Sequence, residues 1–176
     1  DVIGDVGAYS IYPWTATIEP VQVVSFMPGP YRIENYAARV RAVATNKTLT
    51  GAYRGVGRPI SVFVMERLID MAARKLNLDP AEMRRANLVN DDEFPYKAAS
   101  GLVWDKSAFQ ACLAEARSGS AYNELLIEQE KARAEGRWVG IGIACYAELT
   151  GVGSRIAVAP GMPINTGTET SKVAID

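Results

Sequence analysis

Residues 51–59 read Gly51-Ala52-Tyr53-Arg54-Gly55-Val56-Gly57-Arg58-Pro59, and ISVFVM at 60–65 leads from them into ERLIDMAARKLNLDPAEMRRANLV at 66–89. Here a glycine-rich turn passes into a helix, with a proline suited to the first helical turn. Val62, Met65, Ile69, Ala72, Ala73 and Leu76 recur at helical spacing and predict one buried stripe. Asp70 and Arg74 stand four apart, an acid-before-base pair worth roughly 0.2–0.5 kcal/mol. Asn77 is the expected stop. Asp79-Pro80-Ala81-Glu82 then offers an N-cap, a first-turn proline and the reciprocal glutamate of a capping box, opening a second helix to about Leu88.

Upstream, ARVRAVAT (38–45) alternates apolar and charged residues, as a half-buried strand does. The first 36 residues are punctuated by Pro20, Pro28 and Pro30, which argues against long regular elements there. Downstream, Asn90-Asp91-Asp92-Glu93 is a polar break and the candidate domain boundary, dividing 1–92 from 93–176. Phe94–Trp104 holds Ser100-Gly101 between apolar stretches and predicts a hairpin. Helices are expected from an Asp105 cap to about Arg117 and from Ala121 to Ala134, the latter closed by Gly136. Trp138–Leu149 is a strongly apolar strand candidate, with shorter ones near Ile156–Val158 and Lys172–Ile175. The order predicts an α+β fold, with short strands and several amphipathic helices.

Composition narrows the function. Nineteen basic against 20 acidic residues leave a net charge of −1, which gives no electrostatic argument for nucleic acid or an anionic membrane. No apolar run approaches the roughly 20 residues that span a bilayer. Cys112 and Cys145 are the only cysteines among the 176 residues and histidine is absent, so no zinc or iron–sulfur ligand set is recognisable. Two buried thiols in a reducing cytoplasm are expected, although a disulfide is open. The protein itself then supplies no metal site. The chain starts at Asp1 and stops at Asp176 directly after a strand candidate, and is expected to be a piece of a longer polypeptide.

The 51–59 turn has a physical use. Backbone N–H groups at a helix N-terminus are unpaired and the helix dipole favours negative charge there. Glycine admits a ligand to that backbone, and Arg54 and Arg58 add positive charge. The turn lacks the Gly-Lys-Ser/Thr ending of a P-loop, and Ile60 stands where a dinucleotide fingerprint has its third glycine. On local physics alone, an ordinary strand–turn–helix joint is the preferred reading.

GAYRGVGR (51–58), Pro59 and the 66–89 run closely resemble the large-subunit signature of the molybdenum hydroxylases, which include xanthine dehydrogenases, aldehyde oxidases and aerobic-type carbon monoxide dehydrogenases. Asp5-Val6-Gly7-Ala8-Tyr9, Phe94-Pro95-Tyr96, and Gly140-Ile141-Gly142 through Glu148-Leu149-Thr150-Gly151 follow the same order. The resemblance implies a large subunit that binds molybdenum–molybdopterin between two elongated domains and hydroxylates an aldehyde or heterocycle with water as oxygen source. Electrons would pass to [2Fe–2S] clusters and FAD on other domains or subunits. It also implies that 1–92 ends the first molybdenum domain and 93–176 begins the second. Expected partners are the remainder of the large subunit, iron–sulfur and FAD subunits, and a small-molecule substrate.

Carried across by position, the resemblance implies that Ala52, Tyr53, Arg54 and Gly55 lie against the cofactor, with the Arg54 backbone near the metal. Gly55 stands where carbon monoxide dehydrogenases hold a copper-binding cysteine, so that chemistry is excluded here. Val56 stands where xanthine-oxidising members place a phenylalanine, and valine has no ring face for stacking a flat purine. Gln22 stands where they keep a substrate-orienting arginine. A neutral amide donates a hydrogen bond but does not stabilise developing negative charge as arginine does. Val56 and Gln22 are thus the expected substrate-pocket residues.

No catalytic base is assigned. In the family it lies far beyond residue 176, and the Gly-Gln-Gly and Gly-Gly-Phe-Gly-Gly motifs are absent as well. Glu66, Asp70 and Glu82 lie on expected helices, where solvated or capping roles are preferred. Glu148 and Glu169 are more open but lack an evident partner. The isolated chain is expected to be inactive and to self-associate through exposed apolar patches. The alternative is a non-catalytic binding or scaffold module with the same fold.

Overall fold

The computed structural model describes residues 1–10, 17–148 and 171–174. It is α+β, as the sequence predicts. A parallel pair, β1 (Val2–Gly7) and β2 (Val40–Ala44), flanks a connection that carries α1 (Ile18–Phe26). There follow α2 (Arg58–Leu76), α3 (Pro80–Asn87), a 3-10 turn (Asp91–Glu93), the hairpin β3 (Tyr96–Lys97) and β4 (Val103–Trp104), α4 (Phe109–Gly119) and α5 (Tyr122–Ala134). Among these described residues no helix is long and apolar enough to cross a membrane.

Several local signals act as read. Asn77 ends α2 in the left-handed conformation, φ 53°, and its N–H donates to the carbonyls of Ala73 and Arg74. Asp79 caps α3 by accepting from the amides of Ala81 and Glu82 at 2.8 and 3.0 Å. Gly101, at φ 95°, turns the hairpin.

Among the described part of the first 36 residues the helix is short, nine residues, and Pro20 lies in its first turn, where its missing N–H has no intrahelical partner to lose. Ile18, Val23 and Phe26 are buried by that helix. Other expectations are corrected. Strand β2 is mostly exposed rather than half-buried, because only β1 pairs with it and little covers its faces. Glu82 does not complete a capping box. Its carboxylate turns to Arg85 and Arg117 instead. Helix α4 starts from Ala108 rather than Asp105.

The largest correction concerns Trp138–Leu149. Through Glu148 no strand forms, and backbone groups that a ladder would satisfy are taken by side chains. Gln129 donates to the Val139 carbonyl at 2.8 Å and Arg84 to the Ile143 carbonyl at 2.8 Å. Leu149, Glu169 and the 156–158 candidate lie outside the described residues, and 171–174 form no strand. Cys112 is exposed and Cys145 half-buried, both free, so the expectation of two buried thiols fails for Cys112 on the outer face of α4.

Two apolar clusters form the core. Phe26, Ala98, Leu102 and Trp104 pack with Phe109 and Ala147; Tyr31, Ile69, Leu88 and Leu113 pack with Met65, Ile143 and Cys145. Both join residues before and after the polar turn at 91–93. The strap 143–148 therefore reaches each cluster.

The tip of the β1–β2 pair provides a pH test. Asp5 accepts from Lys47 (2.5 Å), Thr45 (2.6 Å) and the Gly7 amide (3.2 Å). The Lys47 hydrogen bond, then Thr45 and Gly7, lower its pKa from 3.8 to about 2. A carboxylate with a depressed folded pKa stabilises above its unfolded pKa, and that contribution fades as pH falls through the folded one. Urea midpoints measured between pH 5 and 2 should show Asp5→Asn less stable than the parent at pH 5. The gap should close as pH falls from about 4 to about 2, where the carboxyl is protonated in both states.

Candidate functional site

Helix α2 begins where residues 54–57 turn back on themselves. Gly55 and Gly57 take φ 81° and 71°, a region closed to most side chains, and Gly57 is the N-cap. Gly57 also needs its missing side chain for space. A Cβ there would stand 2.5 Å from the Glu19 carbonyl oxygen, 2.8 Å from the Val23 nitrogen and 2.9 Å from Gln22 Cβ. The turn therefore lies directly on the backbone of α1. Ser61, one turn into α2, reinforces the junction by donating to the Val23 carbonyl at 2.7 Å.

This packing brings together Gln22 and Gly57 of the turn, 35 positions apart in sequence (57 − 22 = 35). Gln22 is 4% exposed and its Oε1 has no hydrogen-bond partner among the described residues. A buried acceptor left unmade costs about 1–3 kcal/mol, so such atoms mark places where a ligand or water is accommodated. Val56 is half-buried beside Gly57, while Ala52, Tyr53 and Arg54 are exposed, Tyr53 at 89%. The Tyr53 and Arg54 side chains have no hydrogen-bond or ionic partner among the described residues. The residues fit a polar cofactor: an accessible turn whose glycines keep side chains away, a helix N-terminus and an uncommitted arginine suit its anionic groups, and the orphaned amide oxygen suits an N–H or O–H donor.

Arg58, read from sequence as a second free cation, is committed. Its guanidinium lies over the Phe26 ring at 5.2 Å and its Nη2 meets Glu148 Oε1 at 2.5 Å. Glu148 thus has the partner that sequence alone did not reveal. The two residues are 90 positions apart, a spacing with no local signature (148 − 58 = 90).

Behind the turn, sequence reasoning missed a buried ionic network. Glu66, read as solvated or capping, is 6% exposed, and Arg84 is 0% exposed. Glu66 Oε2 accepts from Arg84 Nε at 2.8 Å and from the Cys145 amide at 3.0 Å, while Oε1 accepts from the Tyr31 hydroxyl at 2.5 Å. Arg84 also donates to Asp70 Oδ1 at 2.9 Å and to the Pro80 and Ile143 carbonyls. Burial works against the Arg84 charge, yet Glu66 and Asp70 outweigh it and hold its pKa above the ordinary value. Burial, with the neighbouring negative groups, raises the Tyr31 hydroxyl well above its ordinary range. Asp70 therefore pairs with Arg84 rather than Arg74, whose Nε turns to the Asp70 carbonyl. The signal was present in the sequence. Val62, Glu66, Ile69 and Ala73 share one helical face, so a charge stands within the apolar stripe.

A groove of about 480 Å³ runs between α2 and the strap, lined by Val62, Phe63, Arg67, Tyr146 and Glu148 among others. None of the residues 52–56 lines it. Among the described residues no cluster of three or more His, Cys, Asp or Glu could hold a metal ion directly.

The site geometry is thus a glycine turn opening a helix, laid against a second helix that carries a buried, unpartnered amide oxygen. Residues 1–88 match the family described as "Molybdopterin cofactor-binding domain", and the chain belongs to that family. It is 36% identical over 71% of its length to the 6-hydroxypseudooxynicotine dehydrogenase complex subunit gamma of Paenarthrobacter nicotinovorans, covering 16% of that protein. To the nicotine 6-hydroxylase large subunit of the same organism it is 32% identical over 89% of its length and 19% of the relative. Among solved structures, quinoline 2-oxidoreductase from Pseudomonas putida 86 superposes with a TM-score of 0.82 at 35% identity, over 87% of this chain and 20% of that one. The chain thus spans about a fifth of the length of proteins it resembles.

Proposed function

We propose that this chain is part of a molybdopterin-dependent oxidoreductase large subunit that hydroxylates a heterocycle or an aldehyde, with water as the source of oxygen. When bound, the molybdenum cofactor supplies the redox chemistry that inserts that oxygen into a C–H bond. Ala52, Tyr53, Arg54 and Gly55 offer their backbone to the cofactor, and Arg54 contributes uncommitted positive charge. Val56 and Gln22 face the substrate. The observation that carries this reading is the buried, orphaned Oε1 of Gln22, a residue whose Cβ packs against Gly57 of the turn. It provides an acceptor for an N–H or O–H of substrate or of an ordered water.

Three features support the substrate class. Gly55 has no thiolate to hold copper, Val56 has no ring to stack on a purine, and Gln22 carries no charge to stabilise a purine anion. Two of the similar proteins are named for nicotine and quinoline, both nitrogen heterocycles. Electrons leave for [2Fe–2S] and FAD groups on other domains or subunits, and the enzyme works in the cytoplasm, in keeping with two free thiols. Residues 1–92 complete one cofactor-binding domain and 93–176 open the next. The end of the family match at residue 88 and the polar turn at Asp91–Glu93 support that division.

The remainder of the large subunit covers α2. Ile60, Phe63, Val64, Leu68 and Met71 form an exposed apolar stripe on its outer side, Phe63 at 68%. Such a stripe on a helix already buried on its other side marks an interface. Sedimentation of the isolated chain over a concentration series should show self-association, reduced in a Phe63→Ser/Leu68→Ser double variant. A strictly monomeric chain at all concentrations would count against the stripe as an interface.

Metal and pterin analysis of the full-length protein containing this segment tests the cofactor reading. Stoichiometric molybdenum with a fluorescent oxidised pterin supports it and justifies a screen of nicotine, quinoline and simple aldehydes. A folded protein from a molybdenum-replete host that holds neither would favour a non-catalytic scaffold instead.

A further inference from the structure

We propose that Glu148 is a positioning residue for the cofactor-contacting turn, acting through Arg58. This rests on the reading that residues 52–55 lie against the cofactor.

The geometry runs from the strap to the turn in short steps. The strap 143–148 is fastened at its start by two partly buried hydrogen bonds, Arg84 to the Ile143 carbonyl and the Cys145 amide to Glu66. Ala147 packs on the cluster of Phe26, Leu102 and Trp104. Glu148 is therefore presented from a segment anchored on both its polar and apolar sides. Its carboxylate takes Arg58 Nη2, and Arg58 is the first residue of α2, immediately after Gly57. The Arg58 amide closes the turn by donating to the Gly55 carbonyl at 2.9 Å. One residue thus holds the turn by its backbone and the strap by its side chain.

The pair differs from an ordinary surface ion pair. Arg58 is 15% exposed in its side chain, stacked on Phe26, and its Nε is buried without a partner. Apart from Glu148, no anion meets its guanidinium among the described residues. Removing that carboxylate would leave a largely buried cation unneutralised at the first residue of the helix, and the side chain would move towards solvent. The backbone it belongs to is the turn itself. A turn with two glycines in left-handed conformations has little stiffness of its own, so its shape depends on what holds its ends.

Hydrogen exchange on the full-length enzyme, with and without its molybdenum–pterin group, reads this directly. In the unsubstituted protein, the peptide covering 51–58 should be protected by the cofactor. In Glu148→Gln that peptide should exchange about tenfold faster in the loaded enzyme, while peptides within α2 beyond Ser61 stay unchanged. Glu148→Asp, which keeps the charge on a shorter arm, should recover part of the protection. A role confined to general stability would shift the melting temperature and leave the local pattern alone. Protection in Glu148→Gln equal to the parent overturns the positioning role while leaving the cofactor contact intact. Absence of protection in the unsubstituted enzyme overturns the cofactor contact, and the positioning role with it. Should Glu148→Gln not fold, Arg58→Gln, which removes the other half of the ion pair, is read in its place, with the same two outcomes.

Discussion

Replacing Arg84 by alanine is expected to destabilise the protein by about 3–5 kcal/mol, the range for breaking a buried ion pair by removing one partner. The loss is large because Arg84 serves acceptors on four residues at once: Glu66, Asp70 and the carbonyls of Pro80 and Ile143. Without it, the Glu66 carboxylate stays buried with only the Tyr31 hydroxyl and the Cys145 amide to solvate it. The pair's own contribution is smaller than the damage done by halving it. A double replacement, Arg84→Met with Glu66→Leu, should therefore cost less than Arg84→Ala alone, since no buried charge then lacks its partner. Urea denaturation of the three proteins at neutral pH checks this. A double variant less stable than the single one would mean that the network contributes through its geometry rather than its charge balance.

The second large effect is expected at Gly57. Gly57→Ala should destabilise by about 2–5 kcal/mol, combining a left-handed residue penalty of about 1–2 kcal/mol with overpacking of about 1–3 kcal/mol. The Cβ would meet backbone atoms of α1, which cannot rotate away as a side chain does. Gly55→Ala is the internal comparison. It carries a similar φ, but its Cβ would meet only the Pro59 ring at 3.3 Å, so the cost should stay near about 1–2 kcal/mol. Equilibrium denaturation separates the two, and molybdenum content of the full-length protein should fall more in Gly57→Ala. Equal destabilisation at both glycines would show that backbone strain alone matters and that the α1–α2 contact yields.

The contrast between these sites explains what the sequence revealed and what it hid. The glycine turn, α2, the Asn77 stop and the Asp79-Pro80 start were legible because each depends on residues a few positions apart. The hairpin turn at Gly101 was legible for the same reason. That Gln22 belongs with Val56 entered only as an implication of family resemblance, and its packing against Gly57 was not foreseen, since nothing in local spacing brings α1 against the turn. Glu66 was misjudged and Arg84 passed over because charged residues on helices are ordinarily solvated, and only their joint burial reverses that rule. The Trp138–Glu148 stretch was read as a strand because a continuous apolar run looks alike in a strand and in a strap. What distinguishes them here is distant: Arg84 and Gln129 take carbonyls, and Glu66 an amide, that a neighbouring strand would otherwise have paired.

The Glu66–Cys145 hydrogen bond has a consequence for how the chain acquires its shape. It joins residues 79 positions apart, and Tyr31 joins Glu66 from 35 positions on the other side. Residues 143–145 follow α2 and α3 by more than 50 positions, so the Glu66–Arg84 pair has its outer face open to water wherever the strap is not yet in place. Only arrival of the strap seals it. Contacts of such sequence separation form late and slow the search for the native state. The strap is thus a cover contributed from far along the chain: until it is in place, the helix that follows the glycine turn is one whose charged interior is not yet closed.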